Sequence, residues 1–134
     1  MSYPILIDTN AYAEFFKGNE KVITIFEACS EIYLCPIVEG ELKFGFKNGT
    51  QLKKNFHEFE EFVQIDKVSR IPVTEIVSDY YSDIILDLKK KGTPIPTNDI
   101  WICACAKAYN LPVLTFDKHF SFIEGIQVVN NNNI

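Results

Sequence analysis

The sequence predicts an α/β protein, a three-layer α/β/α sandwich built on a mainly parallel sheet, from three observations. Short strand-like runs alternate with stretches of helical periodicity along the whole chain. The runs are apolar throughout, as in Ile5-Leu6-Ile7, rather than alternating in polarity, which is the pattern of strands buried on both faces. The 134 residues contain no repeat, linker or shift in composition, so a single domain is expected over residues 1–134. A chain of that length buries roughly two-thirds of its unfolded surface, enough for a core without staples.

Taken in order, residues 3–7 read as a buried strand and 9–17 as a helix with Gly18 as its C-cap. Residues 20–29 carry Val22, Ile23, Phe26 and Cys29 at the spacing of one helix face. Residues 31–35, EIYLC, form a short strand closed by Pro36. A helix over 37–48 stops near Asn48-Gly49, and Phe56, Phe59, Phe62 and Val63 make 51–65 an amphipathic helix. VSRIPV, 68–73, reads as a strand, although Pro72 cannot donate to a ladder. Residues 74–91 place Val77, Tyr80, Ile84 and Leu88 on one stripe and end in Lys89-Lys90-Lys91-Gly92. The turn GTPIPT leads to a helix over 98–110, a strand LPVLTF at 111–116 and a last strand IQVV at 126–129. The asparagine run at 130–133 reads as a frayed tail.

Composition bounds the function. Hydrophobic residues at 47% and charged residues at 23% make an ordinary globular balance. No run of 18 or more apolar residues is present to span a membrane. Met1-Ser2-Tyr3-Pro4 starts no basic-then-apolar segment, so no secretory signal is expected. Cys29, Cys35, Cys103 and Cys105 show neither zinc-ligand nor Cys-x-x-Cys spacing, so buried, reduced thiols in a cytoplasmic protein are expected. The net charge of −5 disfavours a broad basic surface for nucleic acid.

Four carboxylates stand out. In a parallel α/β sheet, ligands sit beyond the carboxyl ends of the strands. Asp8 closes the first strand there, and only Thr115 and Phe116 separate Asp117 from the run Pro112-Val113-Leu114. Asp99 lies in the first turn of an almost wholly apolar helix, and Glu41 lies at the margin of an apolar helix face. Each has a structural alternative. Asp8 suits an N-cap or an Asx-turn. Asp99 complements a helix dipole by about 0.3–1 kcal/mol, with Thr97 or Asn98 as the cap. Asp117 suits the start of a turn. Glu41 has Ile37 and Gly45 at the i±4 positions, so neither supplies a cation, and Lys43 faces elsewhere. Gly40 and Gly45 cost the helix about 1 kcal/mol each and suggest close approach of another backbone, with a loosely packed helix as the alternative. Four carboxylates gathered on one rim repel one another, and a divalent cation with hard oxygen ligands, Mg²⁺ or Mn²⁺, relieves that.

These pieces resemble the PIN domain and, within it, the VapC-like toxins of toxin–antitoxin systems. The resemblance runs from ILIDTN through VEGELKFG and PTNDIWICACAKAYNLPVLTFDKHF to the last strand. It implies a PIN-like sandwich with strand order 3-2-1-4-5 and acidic residues around Mg²⁺ or Mn²⁺ that cut single-stranded RNA. By position, Asp8 matches the aspartate of the first-strand motif, and Glu41 the glutamate of the third helix. Asp99 matches the aspartate opening the buried helix, and Asp117 the last acid. Asn10 and Thr115 match polar positions that support the site. Cys103 and Cys105 depart from the small residues often found on that helix. Asn98 stands where some relatives carry another acid, which leaves a second metal open.

The implied reaction is hydrolysis of an RNA phosphodiester, with the cation activating water and stabilising phosphoryl charge. Asp8, Asp99 and Asp117 are the expected ligands, direct or through water, and Glu41 holds or deprotonates the water. His57 reads as solvated surface and His119 as a turn residue. Setting the four site carboxylates aside leaves a net charge of −1. Lys43 and Lys47, four apart on one helix face, with Lys53-Lys54 following, are candidates for RNA phosphate contacts. The implied partners are an RNA substrate, tRNA included, a cognate antitoxin and a second copy of the chain, with no membrane. Two rival readings stand. One is an inert PIN-like binding module. The other is a phosphatase of the haloacid-dehalogenase type, which needs an aspartate where this chain has Asn10.

Overall fold

The computed structural model describes residues 2–129, so the asparagine run read as a tail lies outside the described residues. The chain runs β1 (Ile5–Ile7), α1 (Thr9–Phe16), α2 (Glu20–Ala28), β2 (Ile32–Leu34), α3 (Pro36–Asn48), α4 (Leu52–Val63), β3 (Val68–Arg70), α5 (Glu75–Lys91), α6 (Thr97–Tyr109), β4 (Val113–Leu114) and β5 (Val128–Val129). A 3₁₀ turn, Lys118–Phe122, lies between the last two strands.

Among the described residues all five strands are parallel, in the order β3-β2-β1-β4-β5, as the resemblance implies. β1 is central: Ile5 and Leu6 face Ile32 and Tyr33 of β2, while Leu6 and Ile7 face Val113 and Leu114 of β4. Its three residues are wholly buried, which is why the run carries no polar side chain. The chain leaves β1 outward to β2 and β3 on one side, then returns to β4 and β5 on the other. The crevice beyond the ends of β1 and β4 is therefore a topological switch point, where such sheets bind ligands.

Local chemistry sets the ends of the elements. The Asn19 side chain accepts from the backbone N–H groups of Lys21 and Val22 to start α2. α5 ends at Gly92 and α6 at Asn110, both left-handed, with φ of 67° and 55°. Aromatic rings tie α1 to α4. Phe62 meets Tyr12, Phe15, Phe16 and Phe26, and Phe15 stacks on Phe26 at 4.6 Å between centroids. α5 packs along α6, where Tyr81 stacks on Trp101 at 3.8 Å. The four cysteines are buried and free.

Several expectations need correction. The third strand stops at Arg70, because Pro72 has no N–H; one further ladder bond, Ile71 N–H to Leu34 at 3.0 Å, completes it. The other strands are also shorter than the stretches read for them, 3–7, 31–35, 111–116 and 126–129. α1 ends at Phe16 with Lys17 as its C-cap, and Gly18 follows at φ 84°. Neither Thr97 nor Asn98 caps α6: Thr97 is already helical, and Pro96 takes the cap position without a side-chain bond. Gly40 and Gly45 admit no close backbone, since a Cβ at either would meet nothing within 4 Å.

Truncating Phe62→Ala empties the centre of the aromatic cluster. It is expected to cost roughly 3–5 kcal/mol in urea unfolding. A loss within experimental error of zero would show that the cluster does not hold α1 and α4 together.

Candidate active site

Asp8 directly follows β1 and Thr115 directly follows β4. Among the described residues they are the two buried polar side chains, Asp8 being 4% exposed. Asp8 adopts an extended backbone (φ −94°, ψ 177°), and its Oδ1 accepts from the Ala11 N–H at 2.8 Å, capping α1. Its Oδ2 accepts from the Thr115 hydroxyl, which in turn accepts from the Asp117 N–H at 3.0 Å. The capping and site readings of Asp8 are thus compatible: one oxygen starts the helix and the other reaches across to β4.

Asp117 begins the 3₁₀ turn, and its Oδ1 accepts from the His119 N–H at 2.9 Å. That turn folds the His119 ring back over the carboxylates. His119 Nδ1 stands 3.1 Å from Asp117 Oδ1 and 3.2 Å from Asp99 Oδ2. Asp99 arrives from the first turn of α6. Glu41 arrives from α3, where the Thr9 hydroxyl donates to its Oε1 at 2.8 Å and the Asn98 amide to its Oε2 at 3.4 Å.

Electrostatics confirm the crowding. Burial, foremost, pushes the Asp8 carboxyl from its ordinary 3.8 up to about 6; the bonds from Thr115 and Ala11 oppose this, and the charges of Asp117 and Asp99 add to it. Asp99 is also raised, first by burial and then by Asp117; His119 pulls it back, and Glu41 pushes it up again. Each of the four carboxylates therefore takes part in one electrostatic cluster.

Asp8, Glu41, Asp99 and Asp117 come together as the sequence suggests, with Thr115 supporting Asp8. Asn10 makes none of these hydrogen bonds; it is exposed and lines a recess with Glu14, Lys17 and Phe116. Lys43 is drawn to Glu39 at 2.7 Å, in a network with Arg70, while Lys47 is exposed. His57 pairs with Glu61 on the exposed side of α4, in keeping with its surface reading. The residue that sequence reasoning missed is His119. The available signal was its position two residues after Asp117, which becomes meaningful only once Asp117 starts a tight turn. Thr9 and Asn98, the partners of Glu41, were missed as well, each being the immediate neighbour of a site aspartate.

The donor set fits a divalent cation. One ligand atom from each of Asp99, Asp117 and His119 lies within 4.8 Å of the others, and Asp8 and Asp99 are raised first by burial and then by neighbouring carboxylates. Beside Glu41 an open cleft is lined by Ile37, Gly40, Phe44 and Asn98. No helix among the described residues is long and apolar enough to cross a membrane.

Comparison with known proteins agrees with this architecture. Residues 5–125 match the family model of the PIN domain. The chain is 30% identical over 134 residues to Toxin FitB of Neisseria gonorrhoeae, spanning 94% of this chain and 96% of FitB. It is 22% identical over 90 residues to Ribonuclease VapC4 of Mycobacterium tuberculosis, spanning 67% and 69% of the two. The fold superposes on that of VapBC2 from Rickettsia felis, solved bound to a DNA fragment from its promoter, with a TM-score of 0.87 at 22% identity over 95% of this chain and 98% of that one. A parallel sheet in the order 3-2-1-4-5, acids gathered at its switch point and a match over most of the sequence lead to one conclusion: the chain belongs to the PIN domain family.

Proposed function

We propose that this protein is a metal-dependent endoribonuclease that hydrolyses RNA phosphodiester bonds, the toxin of a type II toxin–antitoxin pair. The observation that carries the reading is the convergence of Asp8, Glu41, Asp99 and Asp117 at the switch point of a PIN sheet. Relatives named a toxin and a ribonuclease support it. The whole chain, residues 1–134, is read as one PIN-like domain.

A bound Mg²⁺ or Mn²⁺ supplies Lewis acidity toward a phosphoryl oxygen and lowers the pKa of water. Asp99 and Asp117 would hold the cation through their carboxylate oxygens. Asp8, with both oxygens already accepting hydrogen bonds, suits contact through water. Glu41 forms no ion pair among the described residues, and Thr9 and Asn98 fix its direction. It is placed to accept a proton from the attacking water at a carboxylate oxygen. The cleft beside it, with Phe44 68% exposed, offers room and a ring face for an unstacked base. Lys47 and, once released from Glu39, Lys43 are placed for phosphate contacts. Exposed Ile76, Leu86 and Phe122 offer apolar surface for an antitoxin and a second copy of the chain. The protein is read as cytoplasmic.

Three outcomes test this reading. Incubated with structured RNAs, tRNAs among them, in Mg²⁺ or Mn²⁺, the protein is expected to make discrete cuts. EDTA abolishes them, and Asp99→Asn or Asp117→Asn lowers the rate by about 100-fold or more. Equal cutting by an identically prepared variant would mark a contaminant. Metal binding without any cutting would instead favour the inert binding module. Lys47→Ala is expected to weaken RNA binding and reduce the slope of log affinity against log salt by about 1; an unchanged slope would remove Lys47 from the interface.

The third outcome follows from the site's cost to stability. The folded-state pKa of Asp8 lies above its ordinary value, so the folded form holds the proton more tightly. The stability linked to that proton is present below about pH 4 and lost as the pH rises through about 6, a loss of about 2–3 kcal/mol. In EDTA, Asp8→Asn keeps a capping oxygen and sheds the charge. It is expected to raise the melting temperature by about 3–8 °C near pH 7.5, with the gain shrinking toward pH 4.5. A lower melting temperature at the higher pH would show that Asp8 is a structural asset rather than a strained site group.

A further inference from the structure

Sequence reading treats His119 as a turn residue, and Asp8, Asp99 and Asp117 account for the expected ligands without it. Its position in the fold says more. The ring nitrogen Nδ1 stands 3.1 Å from Asp117 Oδ1 and 3.2 Å from Asp99 Oδ2. Cis ligands on an octahedron with bonds of about 2.1 Å stand about 3 Å apart. The two spacings therefore match two edges of a coordination shell. The three ligand atoms, all within 4.8 Å of one another, lie close enough to converge on a single ion.

A simple ion pair between protonated His119 and the two aspartates would produce the same distances, but it does not balance the site. One imidazolium faces four carboxylates. Nor is the ring placed by chance. The Asp117 carboxylate accepts the His119 N–H and so fixes the turn that aims the ring, and Thr115 holds the Asp117 backbone in turn. The ring is partly exposed, open to an ion arriving from solvent.

We propose that His119 supplies, through Nδ1, a third ligand beside Asp99 and Asp117, making an oxygen–oxygen–nitrogen site that prefers Mn²⁺ to Mg²⁺. The proposal rests on the reading of this rim as a cation site and adds a ligand of a different kind. Mg²⁺ takes oxygen almost exclusively, whereas a neutral imidazole bonds well to transition-metal ions. In this site the softer donor therefore decides between two cations of similar size. To bind, His119 must present a proton-free Nδ1 lone pair, as any imidazole ligand must.

The test reads the metal directly, on the full chain at about pH 8, where free imidazole is neutral. Mn²⁺ is bound to the wild type, His119→Ala and His119→Gln, and pulsed electron paramagnetic resonance looks for modulation from a coordinated nitrogen. Calorimetry measures Mn²⁺ and Mg²⁺ affinities for the same proteins, and thermal melts confirm that both variants fold. The wild type is expected to show nitrogen modulation and to bind Mn²⁺ more tightly than Mg²⁺. Both variants are expected to lose the modulation and to weaken Mn²⁺ binding by at least the roughly 10-fold that disturbing even an outer partner of a ligand brings. Their Mg²⁺ binding should change far less. Mn²⁺ bound by the wild type without nitrogen modulation, or an unchanged preference in both variants, would overturn the role of His119 while leaving the cation site intact. No binding of either ion by the wild type would overturn the cation site itself, and the ligand role with it.

Discussion

A carboxylate held almost out of water at the end of the central strand is the constraint on which the rest of this site depends. Asp8 is kept there by two opposed attachments, the Ala11 N–H at the start of α1 and the Thr115 hydroxyl at the end of β4. The first fixes how the chain leaves β1. The second joins the two strands that flank the switch point, across 107 residues of sequence. Thr115 then passes the constraint on to Asp117, and Asp117 to His119. The acidic rim is thus a chain of hydrogen bonds anchored in the sheet rather than a set of side chains on independent loops, and such anchoring holds reacting groups in place.

Holding like charges together opposes folding, and the fold offsets this elsewhere. β1 and β4 are short but wholly buried, and the aromatic cluster around Phe62 joins α1, α2 and α4 on one core. α6 can present Asp99 to the rim because the turns that follow it are anchored by the buried Ile100 and Ile102 to Ala106. Functional sites commonly carry this kind of local strain, sustained by a rigid surround. A cation at this rim, as proposed, would lower the free energy of the very carboxylates that burial raises.

Charge at the molecular scale fits the same picture. An acidic chain is an unpromising binder of RNA on net charge alone. Much of the negative charge is local, however, gathered at the rim or spent in surface pairs such as Glu39 with Arg70 and Lys43, or Asp87 and Glu124 with Lys91. Exposed pairs of this kind add little stability, but they leave the potential near the cleft to be set by the rim and whatever it binds.

The alternation of strands and helices, the apolar runs and the four acids were legible in the sequence because each depends on local pattern: burial on both faces forbids polar side chains, and helix faces repeat every three or four residues. Even the bland reading of Asp8 as a cap was correct, since capping needs only the backbone three residues on. Strand ends were not legible, because where a ladder stops depends on the neighbouring strand, as at Pro72 and Ile71. The open space around Gly40 and Gly45 was not legible either, as it depends on what packs opposite. The partners of Glu41 and the place of His119 lie furthest from local rules: Glu41 meets Thr9 and Asn98 from 32 and 57 residues away, and His119 meets Asp99 across 20. The sequence by itself therefore determined which residues would carry charge to the rim. Only the tertiary structure decided which of those atoms stand side by side, because that depends on how the ends of β1 and β4, the starts of α1 and α6 and the second turn of α3 meet at one point in space.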